Sequence, residues 1–246
     1  YYDMANKMVT QVRSLVVSAN QTVVPVIADI KEREPQGIAR FYQASYRLVL
    51  FLAMPLFVLL VLGAPLISRI WIGHYERAFM AAALWLAAGW LVNTLNGPAF
   101  FAYLGTGELS WNVRGQLAIA LLNVVLGLGL GALFSGAGVV AAWGLALMAG
   151  SVLFGISFHA RNGIPLADLM PAESRPLALT CAGALGLSFA LFSFRAIEAS
   201  PVIFGLVSLA LSSAILYVAW RHPMRRRLAA WISVDLLGKQ TSAPGP

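Results

Sequence analysis

The sequence predicts an all-α, polytopic membrane helix bundle with about seven transmembrane helices. Three observations carry that prediction. Of 246 residues, 59% are hydrophobic and only 11% are charged, with a mean hydropathy of +0.77, whereas soluble domains carry roughly a quarter charged residues. The apolar residues fall in blocks of about 18–25, the length that crosses a hydrocarbon core about 30 Å thick. The short alternating segments of a β-barrel are absent, so the backbone groups of these blocks must be satisfied within helices.

In chain order the blocks cover residues 3–27, 48–71, 79–104, 113–134, 139–158, 177–194 and 202–220. The links are short, and the longest, 28–47 and 159–176, are too short to fold alone. The small, polar stretch 241–246 reads as a disordered tail. Tyr1 is not preceded by a charged n-region or followed by a cleavage site, so no signal peptide is expected, and the chain reads as a piece of a longer protein.

Charge sets the orientation. One set of links holds Lys31, Arg33, Arg40, Arg47, Arg114, Arg161, Arg175, Arg221, Arg225, Arg226, Arg227 and Lys239, while the alternate set holds only Arg69, Arg77 and Arg195. The positive-inside rule then places the C-terminus in the cytoplasm and the N-terminal end outside. Trp71, Trp111, Trp220 and Trp231 lie near block ends, as interfacial tryptophans do. The run from His222 to Arg227 is a topology signal that also attracts anionic headgroups. The net charge of +7 does not indicate nucleic acid, because the basic residues sit between apolar blocks rather than on one soluble face. Cys181, the one cysteine, lies inside an apolar block as a packing residue and excludes an intramolecular disulfide.

The first block differs from the other six. Asp3, Lys7, Thr10, Ser14, Ser18 and Gln21 share one helical stripe, with Asn6 and Gln11 flanking it and Arg13 and Asn20 at its edge. Met4, Met8, Val12, Leu15, Ala19 and Val23 are expected on the other side. Arg13 falls near mid-span, where insertion scales charge an arginine about 2.5–3.5 kcal/mol, so it must face water or a partner. Lys7 lies two turns nearer the outside, in i,i+4 reach of Asp3. A basic hydrated cavity is the functional expectation, and a guanidinium suits a diphosphate. An interhelical salt bridge, or an interfacial helix, is the structural alternative.

The third block carries Asn93 and Asn96 ahead of Gly97-Pro98. A proline removes a backbone donor and kinks a helix, and the freed carbonyls and Asn amides could line a cavity or bind a coupling cation. Pro25, Pro55 and Pro65 are expected to mark further bends. Gly127 and Gly131 form a GxxxG, expected in close helix packing, and the uncharged link 135–138 makes a tight hairpin of the fourth and fifth blocks. His74, His159 and His222 lie far apart, so no metal site is expected, and Asp168 and Glu173 read as solvated loop charges.

The run YYDMANKMVTQVRSLVVSANQTVVPVIADI resembles the second helix of a lobe in polysaccharide flippases, with Tyr2 and Ala5 at the spacing of the family's G-x-Y-x-x-A entrance and Pro25 at its exit. YRLVLFLAMPLFVLLVLGAPLISRIWIG is similar to the next helix, with a mid-span proline and a hydrophobic-W-x-G end, and NGPAFFAYLGTGE and the hairpin GLGLGALFSGAGVVAAWGLA fit as well. The resemblance extends to about Arg161 and points to Wzx-like flippases of the multidrug/oligosaccharidyl-lipid/polysaccharide exporter superfamily.

It implies the C-terminal lobe of a MATE-like two-lobe transporter. Residues 1–162 would form five helices of that lobe, 163–222 two additional helices, and 223–246 a basic cytoplasmic tail; the missing N-terminal lobe would be the partner. It also implies a bacterial inner-membrane protein that moves undecaprenyl-diphosphate-linked oligosaccharide for lipopolysaccharide or exopolysaccharide synthesis. It would work by alternating access coupled to H+ or Na+, without a cofactor. Arg13 and Lys7 become candidate contacts for diphosphate or acidic sugar, beside the cavity candidates Gln11, Asn93 and Asn96. Two other readings stay open: a drug or small-cation antiporter of the same superfamily, and a membrane-embedded glycan-processing enzyme. The former needs an acidic cavity, and the latter needs convergent His or carboxylates that this sequence lacks.

Overall fold

The computed structural model describes residues 1–21, 23–34, 36–194 and 200–228. The readings made for Arg195, Trp231, Lys239, the 241–246 tail and the side chains of Ala19 and Asn20 lie outside them. Among the described residues the chain is all-helical, with five helices long and apolar enough to cross a membrane. The helices are α1 (Tyr2–Gln21), α2 (Val23–Arg33), α3 (Gly37–Ile72), α4 (Arg77–Leu95), α5 (Gly97–Thr106), α6 (Leu109–Arg161), α7 (Arg175–Ser193) and α8 (Pro201–Arg221).

The first block is helical over Tyr2–Gln21 and over Val23–Arg33, on either side of residue 22, which lies outside the described residues. α1 is too polar to count among the five apolar helices. Pro25 does not end the helix, because α2 continues past it to Arg33. The link expected over 28–47 is also mostly helix: α2 continues to Arg33, and α3 begins at Gly37. α3 then runs through Pro55 and Pro65 and stops at Gly73, whose φ of 87° is left-handed.

The expected break in the third block is present. α4 ends at Leu95, Asn96 is its C-cap, and Pro98 opens α5. α1 packs on α4 and α2 on α5. At Gly105 an added Cβ would stand 2.8 Å from the Val24 carbonyl oxygen, and Lys31 Nζ donates to the Thr106 carbonyl at 2.6 Å. Ala5, Val9 and Val16 of α1, Phe57 and Val61 of α3, and Phe79, Ala83 and Leu86 of α4 form one core.

α6 folds back on itself at Ser135 (φ 53°, ψ −139°). Its halves meet in antiparallel register: a Cβ on Gly115 would enter the Phe154 ring, one on Gly150 would meet Ile119, and one on Gly138 would meet the Leu130 carbonyl. The hairpin expectation therefore holds, with the turn at its first residue. Only half of the GxxxG meets the opposing arm. Nothing lies within 4 Å of a Cβ on Gly127, whereas one on Gly131 would stand 3.1 Å from Val139 Cγ2, and close approach also runs through Gly115, Gly138 and Gly150. α7 and α8 pack on α3 through Leu177, Cys181, Ala184 and Ile215 against Val58 and Leu62. Cys181 is fully buried there, as a packing residue.

Candidate functional site

α1 divides its residues between two surroundings. Ala5, Met8, Val9 and Val16 are buried, and helical periodicity puts Arg13 beside Val9 at the edge of that buried face. Asp3, Lys7, Gln11, Ser14, Ser18 and Gln21 are exposed. Leu15, expected on the apolar side, is 68% exposed and belongs to this outer face. The hydroxyls there bond to their own helix: Thr10 Oγ1 donates to Asn6 O at 2.7 Å, Ser14 Oγ to Gln11 O at 2.7 Å and Ser18 Oγ to Ser14 O at 2.8 Å. Such bonds let a polar stripe persist on a helix outside bulk water.

Arg13 turns toward α4. Its guanidinium carbon lies 4.1 Å above the Trp90 ring, and Nη2 donates to Asn93 Oδ1 at 3.4 Å. Asn93 Nδ2 in turn donates to Ser151 Oγ at 2.9 Å, joining α1, α4 and α6. Asn96, at the break, donates from Nδ2 to Val92 O at 2.9 Å, and its Oδ1 occupies the space that a side chain on Gly155 would take. Arg13, Asn93 and Asn96 border a cavity of about 90 Å³, which Thr94, Gln116 and Phe154 also line. That volume has room for several waters.

The polar groups here are under-satisfied. Arg13 Nε and Thr94 Oγ1 on the cavity lining, and Trp90 Nε1 beneath the guanidinium, are buried without a hydrogen-bond partner. Arg13 forms no ion pair with a described carboxylate, and no carboxylate lines the cavity. A half-buried guanidinium left with one long hydrogen bond and one aromatic face has capacity for an anion. Comparison with known proteins finds no matching family model, no matching curated protein and no matching solved structure.

Of the five residues predicted for the site, Arg13, Asn93 and Asn96 meet at the cavity. Lys7 and Gln11 do not, because they lie on the exposed stripe. Asp3 and Lys7 form no ion pair within 4.0 Å. The sequence reading missed Trp90, Thr94, Gln116 and Ser151. Gln116 had a legible signal, as one of two amides in an apolar block that also holds Asn123, but the others look like ordinary packing residues.

Elsewhere, one loop reading changes. Asp168 stays partly exposed and accepts a hydrogen bond from Gln43 Nε2 at 2.9 Å. The Glu173 side chain is only 23% exposed, between Arg47 and Arg227, so it is not a solvated loop charge. Among the described residues no group of three His, Cys, Asp or Glu could hold a metal ion.

Proposed function

We propose that the chain is the C-terminal lobe of a flippase. It would carry an undecaprenyl-diphosphate-linked oligosaccharide from the cytoplasmic to the outer leaflet of a bacterial inner membrane. In this reading the chain crosses seven times: α1–α2 once, α3, α4–α5, the two arms of α6, α7 and α8. The C-terminus is cytoplasmic.

The observation that carries the proposal is the lone cation at the broken helix. Arg13 is half-buried in an otherwise apolar bundle, pairs with no described carboxylate, and borders a cavity lined by a second orphaned polar group, Thr94 Oγ1. Its energetic cost is explained if an anion visits it. The exposed polar stripe of α1 supports the same reading, because a lipid-facing helix gains nothing from six polar side chains. The N-terminal lobe would close over that stripe and complete a hydrated path, with H+ or Na+ as the coupling ion. A cation antiporter would call for an acidic cavity, and this one is basic.

The test is a strain deleted for the full-length protein, in a background without a second flippase. The expected result is loss of surface polysaccharide with accumulation of lipid-linked glycan on the cytoplasmic side. Both should be reversed by the wild-type gene. Normal surface glycan in the deletion strain would end the proposal and bring the antiporter reading forward.

A further inference from the structure

A second polar pocket lies where α3 begins, distant in sequence from the cavity at Arg13. Arg40, Gln43, Ala44 and Arg47 follow one another at i, i+3, i+4 and i+7 and so share one face of α3. Met224 and Arg227, just beyond α8, close the other side of a pocket of about 190 Å³. Ala44, with only a methyl side chain, lies between the two α3 arginines.

We propose that this pocket holds the phosphate of an anionic glycerophospholipid in the leaflet at this end of the bundle. The first argument is charge that is poorly neutralised. The lining contains three guanidiniums and no carboxylate. The acidic neighbours stand beyond hydrogen-bond distance: Arg47 at 3.8 Å and Arg227 at 4.0 Å from Glu173, and Arg40 at 3.9 Å from an exposed Glu34. Glu173 therefore holds two guanidiniums near each other without using their N–H forks, and its Oε1 has no hydrogen-bond partner. A phosphate takes such forks bidentately.

The second argument is depth. The apolar run of α3 starts immediately after Arg47. On α8, Tyr217 and Trp220 are 58% and 66% exposed, with Arg221 5.5 Å over the former ring and Arg225 3.9 Å over the latter. Exposed aromatics capped by cations mark a membrane–water interface. Basic pockets between helices at that depth suit lipid headgroups. Acyl chains leaving the pocket would meet apolar surface, which a soluble phosphate has no use for.

The third argument is that the pocket is held in shape. His222 is buried; its Nδ1 accepts the Met224 N–H at 3.2 Å, so Nε2 carries the proton and donates to Ser174 Oγ at 3.2 Å. Its ring lies 5.0 Å from Phe51 of α3. Burial pushes its pKa below the usual histidine value, in keeping with the neutral ring that this arrangement requires.

The experiment uses the full-length protein in phosphatidylcholine nanodiscs titrated with phosphatidylglycerol. Retained lipids are counted by native mass spectrometry. Wild type should retain one phosphatidylglycerol, preferred over phosphatidylcholine roughly tenfold or more. Combining Arg40→Gln, Arg47→Gln and Arg227→Gln should abolish the preference, while Arg226→Gln, exposed and outside the pocket, should keep it. If the triple variant does not fold, Arg40→Gln alone, at an 81% exposed side chain, should still lower the preference about threefold. Equal retention by wild type and the pocket variants would overturn the proposal. So would an equal loss in Arg226→Gln, which would indicate diffuse charge. Displacement of the lipid by millimolar inorganic phosphate would assign the pocket to a soluble anion instead.

Discussion

Arg13→Ala is expected to lower flippase activity about 10–100-fold while leaving the protein as stable as wild type. A hydrogen bond to a charged group contributes about 1.5–3 kcal/mol, and about 1.4 kcal/mol corresponds to tenfold in rate, which sets the range for losing one guanidinium–anion contact. Stability should respond differently. Arg13 gives the resting fold a 3.4 Å hydrogen bond to Asn93 and the Trp90 ring face. Against that stand a buried Nε with no partner and the lack of a neutralising carboxylate among the described residues. The cation–π contact is worth about 2 kcal/mol when desolvated, and removing the charge recovers about 2.5–3.5 kcal/mol of membrane burial cost. The two nearly cancel. Surface glycan measured at equal protein level, with the thermal midpoint of the purified variant, checks both halves. Arg13→Lys should recover part of the activity, since it keeps the charge and loses the fork. A joint fall of activity and stability would make Arg13 a structural strut.

The second large effect belongs to the α6 hairpin. Gly138→Ala should destabilise the protein by about 3 kcal/mol, at the upper end of overpacking costs. The added methyl meets the backbone carbonyl of Leu130 on the opposing arm, with Gly131 N also at 3.1 Å, and neither can swing aside as a side chain would. Gly127→Ala, with open space around it, should cost nothing measurable by this route. Ser135→Gly, by contrast, should stabilise by about 1 kcal/mol, because φ 53° with ψ −139° is strained for serine and open to glycine. Unfolding in detergent, followed by circular dichroism, ranks the three. The order Gly138→Ala, Gly127→Ala, Ser135→Gly from least to most stable is expected, and equal midpoints would contradict the hairpin packing.

The hairpin was legible because an uncharged, glycine-containing link between two apolar blocks leaves no room for anything but a tight turn. The α4–α5 break was legible from Asn96-Gly97-Pro98, where local chemistry dictates the interruption. The reach of α3 back to Gly37 was not. Arg40, Gln43 and Arg47 are good helix formers, but a reading based on hydropathy stops where the charges start. On α1 the periodicity separated a polar from an apolar side, yet a stripe more than 100° wide does not say which edge meets the neighbour. Arg13 lies on the edge toward α4, whereas Lys7 and Gln11 lie away from it, so only one of the three basic and amide candidates on that helix reaches the cavity. Trp90, Thr94 and Ser151 became site residues only through packing of α4 and α6. Nothing in their spacing carries that information. The same holds for the arginine pocket, where Arg40 and Arg227 are brought together from opposite ends of the chain.

The account rests on one claim above the others: the polar face of α1 lines a hydrated path through the membrane. Thiol accessibility in cells tests it directly. Cys181 is the single cysteine and is buried, so Cys181→Ala gives a clean background for Ser14→Cys, Ser18→Cys and, as a lipid-facing control, Leu128→Cys. A membrane-impermeant sulfonated thiol reagent should modify the two α1 positions and leave the α6 position untouched, while a lipid-soluble maleimide should reach Leu128→Cys. If Ser14→Cys and Ser18→Cys resist the sulfonated reagent as Leu128→Cys does, the α1 face is not hydrated, and the flippase reading loses its physical basis.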